Sequence, residues 1–311
     1  MSIRFPLPIT REAHVGLLAT ASPLANAGEL PKVVEAVSSF GFKVKEFPSL
    51  KRRLDYTAGT GEQRATDLTK AMTDPKLGAV FCLRGGYGSA HTLPLLDFKE
   101  LAKARKIFAG YSDLTALLNP LATHGGLIGL HAPTANFYLR DDEPTQATRA
   151  AFERFLFQPI GPLSYRELAG RWFNPQTIRK GAAEGRLVGG NLSVFASLIG
   201  TPYAPKGKDF ILFIEEIGEK AYRLDRMLTQ VIQSGFMAKV GGVVVGHLTD
   251  CGPGNNDNDD ALTVVTRVLA PLKIPVLAGF PAGHERPSFP LPIGARVRLN
   301  ATAGNLDILG A

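Results

Sequence analysis

Cysteine is scarce in this chain, with Cys82 and Cys251 the only two among 311 residues. They stand far apart and without CxxC spacing, which argues against a disulfide framework or a cysteine-bound zinc and leaves two reduced, structural thiols. Long hydrophobic runs are also missing. Stretches such as residues 241–245 fall far short of the roughly 18 residues that span a bilayer, so no membrane segment is expected. The N-terminus offers only Arg4 and Arg11 before a short apolar run, not the ordered regions of a secretory signal, and a cytoplasmic chain is the expectation. No run of five or more like charges occurs. The net charge of +7, from 35 basic and 28 acidic residues, is spread along the chain and reads as a solvated surface suited to anionic ligands, with no nucleic-acid partner. A Walker loop is absent, and the oxygen-rich loop 255–260 lacks the register of a calcium-binding hand, so neither a metal nor a cofactor is expected.

What the chain has is the composition of a globular protein, 45% hydrophobic and 20% charged, at a length that suggests more than one core. Short apolar runs alternate with helical spacing through the first half. Residues 14–19, 44–47, 79–83 and 107–111 read as strands, and residues 29–40, 62–72 and 114–118 as helices, the last stopped by Pro120 and the following glycines. Such βα repetition predicts an N-terminal doubly wound, mostly parallel sheet. Between residues 141 and 180 the texture turns polar and proline-punctuated, and holds the lone Trp172. Beyond it, helices at 191–199 and 222–234, strands at 210–214 and 240–247, and an alternating strand at 295–299 predict a smaller α/β domain with a barrel-like or mixed sheet. The expected division is residues 1–160, a linker at 161–180, and residues 181–311.

Several positions carry chemistry. Gly110-Tyr111-Ser112-Asp113 lies where a strand meets a helix, a turn that lifts a serine Oγ above a sheet edge, although the same residue types also suit a plain helix cap. Arg84-Gly85-Gly86-Tyr87-Gly88 follows the third strand, where glycines let the backbone present N–H groups to an anion or oxyanion, or simply make a tight turn. Of six histidines, His284 sits in a loop fixed by Pro281 and Gly283, and His247, at a strand end, is its main competitor for the role of base. Glu215 and Glu216 end a strand with side chains on opposite faces, so one of the two can face a given histidine.

Taken together, these motifs resemble the LD-carboxypeptidase family of serine peptidases, which includes muramoyltetrapeptide carboxypeptidases and microcin C self-immunity peptidases. The likeness runs almost end to end, through Ala58-Gly59-Thr60-Gly61-Glu62-Gln63-Arg64, Leu83-Arg84-Gly85-Gly86-Tyr87-Gly88, Gly110-Tyr111-Ser112-Asp113, Gly189-Gly190-Asn191-Leu192, Tyr222-Arg223-Leu224-Asp225-Arg226 and Gly283-His284. The resemblance implies Ser112 as nucleophile, His284 as base and Glu215 as its acid, with the backbone N–H groups of Gly86 and Asp113 as oxyanion hole. It implies a homodimer without cofactor that releases the terminal D-alanine of murein tetrapeptides in the cytoplasm during cell-wall recycling. Arg84 is a candidate for the substrate's free carboxylate by charge and proximity. Two alternatives accompany this reading, a self-immunity peptidase acting on aminoacyl-sulfamoyl adenylates and a non-catalytic binder of anionic peptidoglycan fragments. One departure is visible: Ser288 stands where the family usually has Asn, which shortens a hydrogen-bonding side chain near the histidine loop.

Overall fold

The computed structural model describes residues 3–253 and 260–311. The chain folds as two compact units, Met1–Ile160 with Pro290–Pro292, and Gly161–Phe289 with Ile293–Ala311.

The first unit is built on six strands. Five are β1 (His14–Leu18), β2 (Lys43–Glu46), β3 (Ala79–Cys82), β4 (Ile107–Gly110) and β5 (Gly129–His131); the sixth, β12 in chain order (Leu291–Ile293), comes from far along the sequence. Their order is β12-β5-β4-β3-β1-β2, and β1 to β5 pair in parallel. Inner strands of a parallel sheet are covered on both faces and therefore read as continuous apolar runs, and β3 and β4 are buried at every position. Edge strand β2 carries Lys43, Lys45 and Glu46, charges that discourage a further strand from docking. Since β2 and β3 flank β1 on opposite sides, the strand order reverses there. The loops leaving the carboxyl ends of β1 and β3 diverge, and such a reversal is where open α/β sheets place their ligand sites.

The second unit is an open, mixed sheet of eight strands. β6 (Leu163–Ser164), β7 (Gln176–Arg179), β8 (Ala182–Asn191), β9 (Phe210–Ile217), β10 (Val240–Thr249), β11 (Val276–Ala278), β13 (Arg296–Asn300) and β14 (Asn305–Gly310) take the order β6-β14-β13-β8-β9-β10-β11-β7. The central run β8-β9-β10-β11 is parallel, linked by helices Leu192–Leu198, Ala221–Gln233 and Ala261–Leu269, while the outer strands join antiparallel. Phe195, Phe210, Leu212, Ile214, Leu224, Leu228, Val243 and Val245 lie in one apolar core on the helical side. Phe280, at the head of the histidine loop, is fully buried, with Tyr165, Phe173 and Phe213 rings 5.0, 5.7 and 6.4 Å away.

Two expectations change. Residues 161–180 are not a free linker: β6 and β7 are the two end strands of the second sheet, with a short helix Tyr165–Ala169 between them. Their polar, half-exposed residues are those of edge strands. The sheet is mixed and open, the second of the two forms expected for it. The helix after Ser112 passes Pro120, continues as a wider turn and ends at the expected glycines, Gly125 and Gly126, since a proline that removes one bond and crowds the carbonyl four residues back bends a helix without having to end it. Strand β8 has no counterpart in the sequence reading. Its Ala182, Ala183, Gly185, Gly189 and Gly190 have weak strand propensity, and pairing with β9 and β13 supplies what the local sequence does not.

Phe280→Ala should lower unfolding stability by about 3–5 kcal/mol, because it empties a site walled by three aromatic rings. Urea denaturation measures it, and a loss below about 1 kcal/mol would show that the loop's anchor lies elsewhere.

Candidate active site

In the first unit, β4 ends extended at Tyr111 and the chain turns sharply at Ser112, whose φ of +61° lies in the left-handed region. A side chain with a Cβ adopts that conformation only at a cost, and a strained serine between a strand and a helix is the geometry of a nucleophile elbow. The glycine loop after β3 lies directly against it. A Cβ placed on Gly85 would sit 2.8 Å from Ser112 Cβ and 2.9 Å from its Oγ, so no larger residue fits. Ser22, from the loop after β1, pins this loop: its Oγ accepts from Tyr87 N at 3.1 Å and its N–H donates to Gly85 O at 3.4 Å. Gly86 is exposed while Asp113 is buried. Burial pushes the Asp113 carboxyl up, against the opposing pull of the Ser89 N–H and the charge of Arg64. Arg84 is half-buried, and its Nη1 donates to Pro23 O at 3.3 Å.

In the second unit, β9 delivers Glu215 and Glu216 to opposite faces. Glu215 is fully buried, and its Oε2 lies 2.6 Å from His284 Nδ1. A carboxylate can only accept, so Nδ1 carries a proton, and in the neutral form of the ring Nε2 is then the basic nitrogen. Glu216 does something else. Its Oε1 accepts from Asn191 Nδ2 at 2.6 Å and from its neighbour Ile217 N, and its Oε2 accepts from Ser193 N at 2.7 Å, at the start of helix Leu192–Leu198. The residue is a buried support for that helix, and burial pushes its carboxyl up.

The histidine loop is gripped on both sides of His284. Gly283 N donates to Ser288 Oγ at 3.1 Å, so the serine in the unusual position does hold the loop. Glu285 N donates to His247 Nδ1 at 3.2 Å. His247 is thus a support for the loop that carries His284, with its own Nδ1 occupied as an acceptor. Gly283 has a φ of +132°, and a Cβ there would lie 3.0 Å from both Glu215 Oε2 and His247 Cβ. Neither the role of His247 nor that of Ser22 was legible in the sequence, since each acts on a backbone N–H distant along the chain.

The remaining candidates fall outside these clusters. The Cys82 thiol is pushed up to about 12 and the Cys251 thiol to about 11 by burial, as structural thiols should be. Residues 255–259 of the oxygen-rich loop lie outside the described residues, while Asp260 caps helix Ala261–Leu269 through Thr263 N. Among the described residues no group of three or more His, Cys, Asp or Glu side chains could hold a metal ion, and no helix is long and apolar enough to cross a membrane.

Burial, and the nearby charge of His284, push the His247 imidazole down to about 4. The unfolded chain, with an ordinary histidine near 6.5, binds a proton that the folded chain refuses, so His247 makes stability fall as pH drops from about 6.5 to about 4. Up to about 3 kcal/mol of acid sensitivity belongs to this residue. His247→Gln should flatten the urea-derived stability profile across that window, and parallel profiles for variant and wild type would remove the assignment.

Two family models match the chain, the LD-carboxypeptidase N-terminal domain over residues 15–132 and the LD-carboxypeptidase C-terminal domain over residues 184–299. A probable murein peptide carboxypeptidase of Bacillus subtilis is 33% identical over 95% of this chain and 91% of its own. The crystal structure of muramoyltetrapeptide carboxypeptidase from Oxalobacter formigenes superposes with a TM-score of 0.84 at 30% identity, covering 96% of this chain and 99% of that one. The microcin C7 self-immunity protein MccF of Escherichia coli is 26% identical over 88% of this chain and 86% of its own. A structure of MccF with glutamyl sulfamoyl guanosine shares the fold at a TM-score of 0.88 and 24% identity, covering 100% of this chain and 99% of that one. The match of both models, in order, with relatives of this identity over nearly the whole length, makes the chain a member of the LD-carboxypeptidase family and a serine carboxypeptidase, a hydrolase of peptide bonds.

Proposed function

We propose that this chain releases the terminal D-alanine from murein tetrapeptides, cutting the bond that follows meso-diaminopimelate, through an acyl-enzyme on Ser112. The observation that carries the reading is the buried Glu215–His284 pair, which leaves His284 Nε2 as a base, together with a serine held in a strained turn against a glycine loop. Ser112 Oγ attacks the scissile carbonyl while its proton passes to His284 Nε2. The C–N bond then breaks, and the same proton goes to the departing amine of D-alanine. Water repeats the sequence on the ester and restores the serine. Glu215 holds the imidazole in the correct tautomer and stabilises its cation. The backbone N–H groups of Gly86 and Asp113 receive the oxyanion, each worth about 3 kcal/mol in comparable sites. Arg84 receives the free carboxylate that an exopeptidase must recognise. In this reading the enzyme works as a cytoplasmic homodimer in cell-wall recycling, without metal or cofactor.

The shared fold and the 26% identity with MccF support a second reading, hydrolysis of aminoacyl-sulfamoyl nucleosides by the same residues. Assaying both substrate classes separates the two. Ser112→Ala should lower D-alanine release by at least about a thousandfold with the fold intact, and Glu215→Gln by about a thousandfold or more. Turnover by Ser112→Ala near the wild-type rate would end the serine assignment.

The net charge of +7 supports electrostatic attraction of carboxylate-rich peptides. On this account kcat/KM for tetrapeptide falls several-fold between about 20 and 500 mM salt, as screening shortens the reach of the charges. A flat salt profile would leave the basic surface without a role in substrate capture.

A further inference from the structure

Arg64 is among the largest fully buried side chains of the described residues, and a guanidinium in that position must be fully occupied. Its Nη1 donates to Thr20 O at 2.5 Å, in the loop after β1, and to Gly88 O at 2.6 Å, at the end of the glycine loop after β3. Its Nε donates to Gly59 O at 3.2 Å, just ahead of helix Gly61–Thr73, on which Arg64 itself lies, and Nη2 approaches His91 Nδ1 at 3.5 Å. One cation therefore ties three loops of the first unit together at the carboxyl edge of the sheet.

The opposite charge comes from Asp113, the residue after the nucleophile. Its Oδ2 accepts from Ser89 N at 2.7 Å. Gly88 O and Ser89 N are the two ends of a single peptide group. That peptide has its carbonyl against Arg64 and its N–H against Asp113, so its dipole lies along the line between the two charges, the favourable alignment. The peptide follows Gly85-Gly86-Tyr87 directly, while Asp113 follows Ser112 directly. Nothing in the hydrolytic scheme uses either charged side chain.

We infer that Arg64 and the Asp113 carboxylate are positioning residues that clamp the Gly88–Ser89 peptide between opposite charges, and so fix the oxyanion loop in register with the nucleophile turn. Ser22 holds the front of the loop through Tyr87 N and Gly85 O, and the clamp holds its back. The donors aimed at a developing oxyanion act by being already in place, so a loop free to shift by a few tenths of an ångström loses rate while the ground-state complex still forms. The inference rests on the proposed acyl-enzyme chemistry of Ser112, and its test is built to fail separately from it.

Arg64→Lys keeps the charge and loses the fork that spans three carbonyls, and Asp113→Ala removes the acceptor for Ser89 N. Each should lower kcat for tetrapeptide by about tenfold to a hundredfold with KM within about threefold, and the double variant should lose no more than the worse single one, since both break one device. The rate of Ser112 labelling by a fluorophosphonate, which needs no natural substrate, should fall alongside kcat. Should Asp113→Ala fail to fold, Asp113→Asn replaces it: it keeps an acceptor for Ser89 N and loses the charge, and should lower kcat and labelling rate by about tenfold. Single variants that keep kcat and labelling rate within threefold of wild type, or a double variant whose loss is the product of the two single losses, would overturn the clamp. A wild-type chain that labels at Ser112 but releases no D-alanine would instead overturn the substrate reading, and the labelling rates would still decide the clamp.

Discussion

The strained turn at Ser112 is the constraint on which the first unit's architecture depends. A left-handed φ at a non-glycine residue costs on the order of 1–2 kcal/mol and persists only where the surroundings over-determine it. Here the surroundings are β4 entering extended, a helix leaving at once, and the Gly85 backbone close above. The loops after β1 and β3 are fastened to each other by Ser22 and Arg64, and the loop after β3 to the turn by Asp113. Because β1, β3 and β4 run parallel, these loops all leave from the same edge of the sheet. Strain at one residue is thus offset by bonds distributed over three loops.

The second unit solves a different problem, the burial of adjacent carboxylates at the end of β9. Strand alternation separates them: Glu215 meets His284 Nδ1, and Glu216 meets Asn191 and the first turn of a helix. The alternation gives one an imidazole partner and the other an amide and the N–H at the start of a helix. The histidine is in turn held through the backbone on both flanks, by Ser288 and His247.

Much of this was legible from sequence because the signals are local. The inner strands β3 and β4 are short apolar runs, the helix Gly61–Thr73 has its apolar spacing, and the strand-to-helix step at Ser112 is visible in four residues. Strand period alone left a choice between Glu215 and Glu216, the resemblance named Glu215, and Glu215 is the one that lies against His284. Strand β8 was hidden by its glycines, and the end strands β6 and β7 by their polar, proline-flanked surroundings, since both depend on partners distant in sequence. His247 looked like a rival base because a sequence shows a histidine at a strand end but not the Glu285 N–H that occupies it. Buried Arg64 showed only as part of a matched motif, its three carbonyl partners being scattered over residues 20, 59 and 88.

Strand β12 gives the chain an order of events. The sheet that carries Ser112 is finished by Leu291–Ile293, made about 180 residues after the serine itself. As the polypeptide emerges during synthesis, the first unit must wait with β5 uncovered on one side until nearly all of the second unit has been translated. Completion of the sheet that carries Ser112 therefore coincides with the arrival of His284, only seven residues ahead of β12. A ribosome-bound fragment ending before residue 284 would hold Ser112 without the edge strand of its sheet and Glu215 without its imidazole partner, so both features are completed late and together.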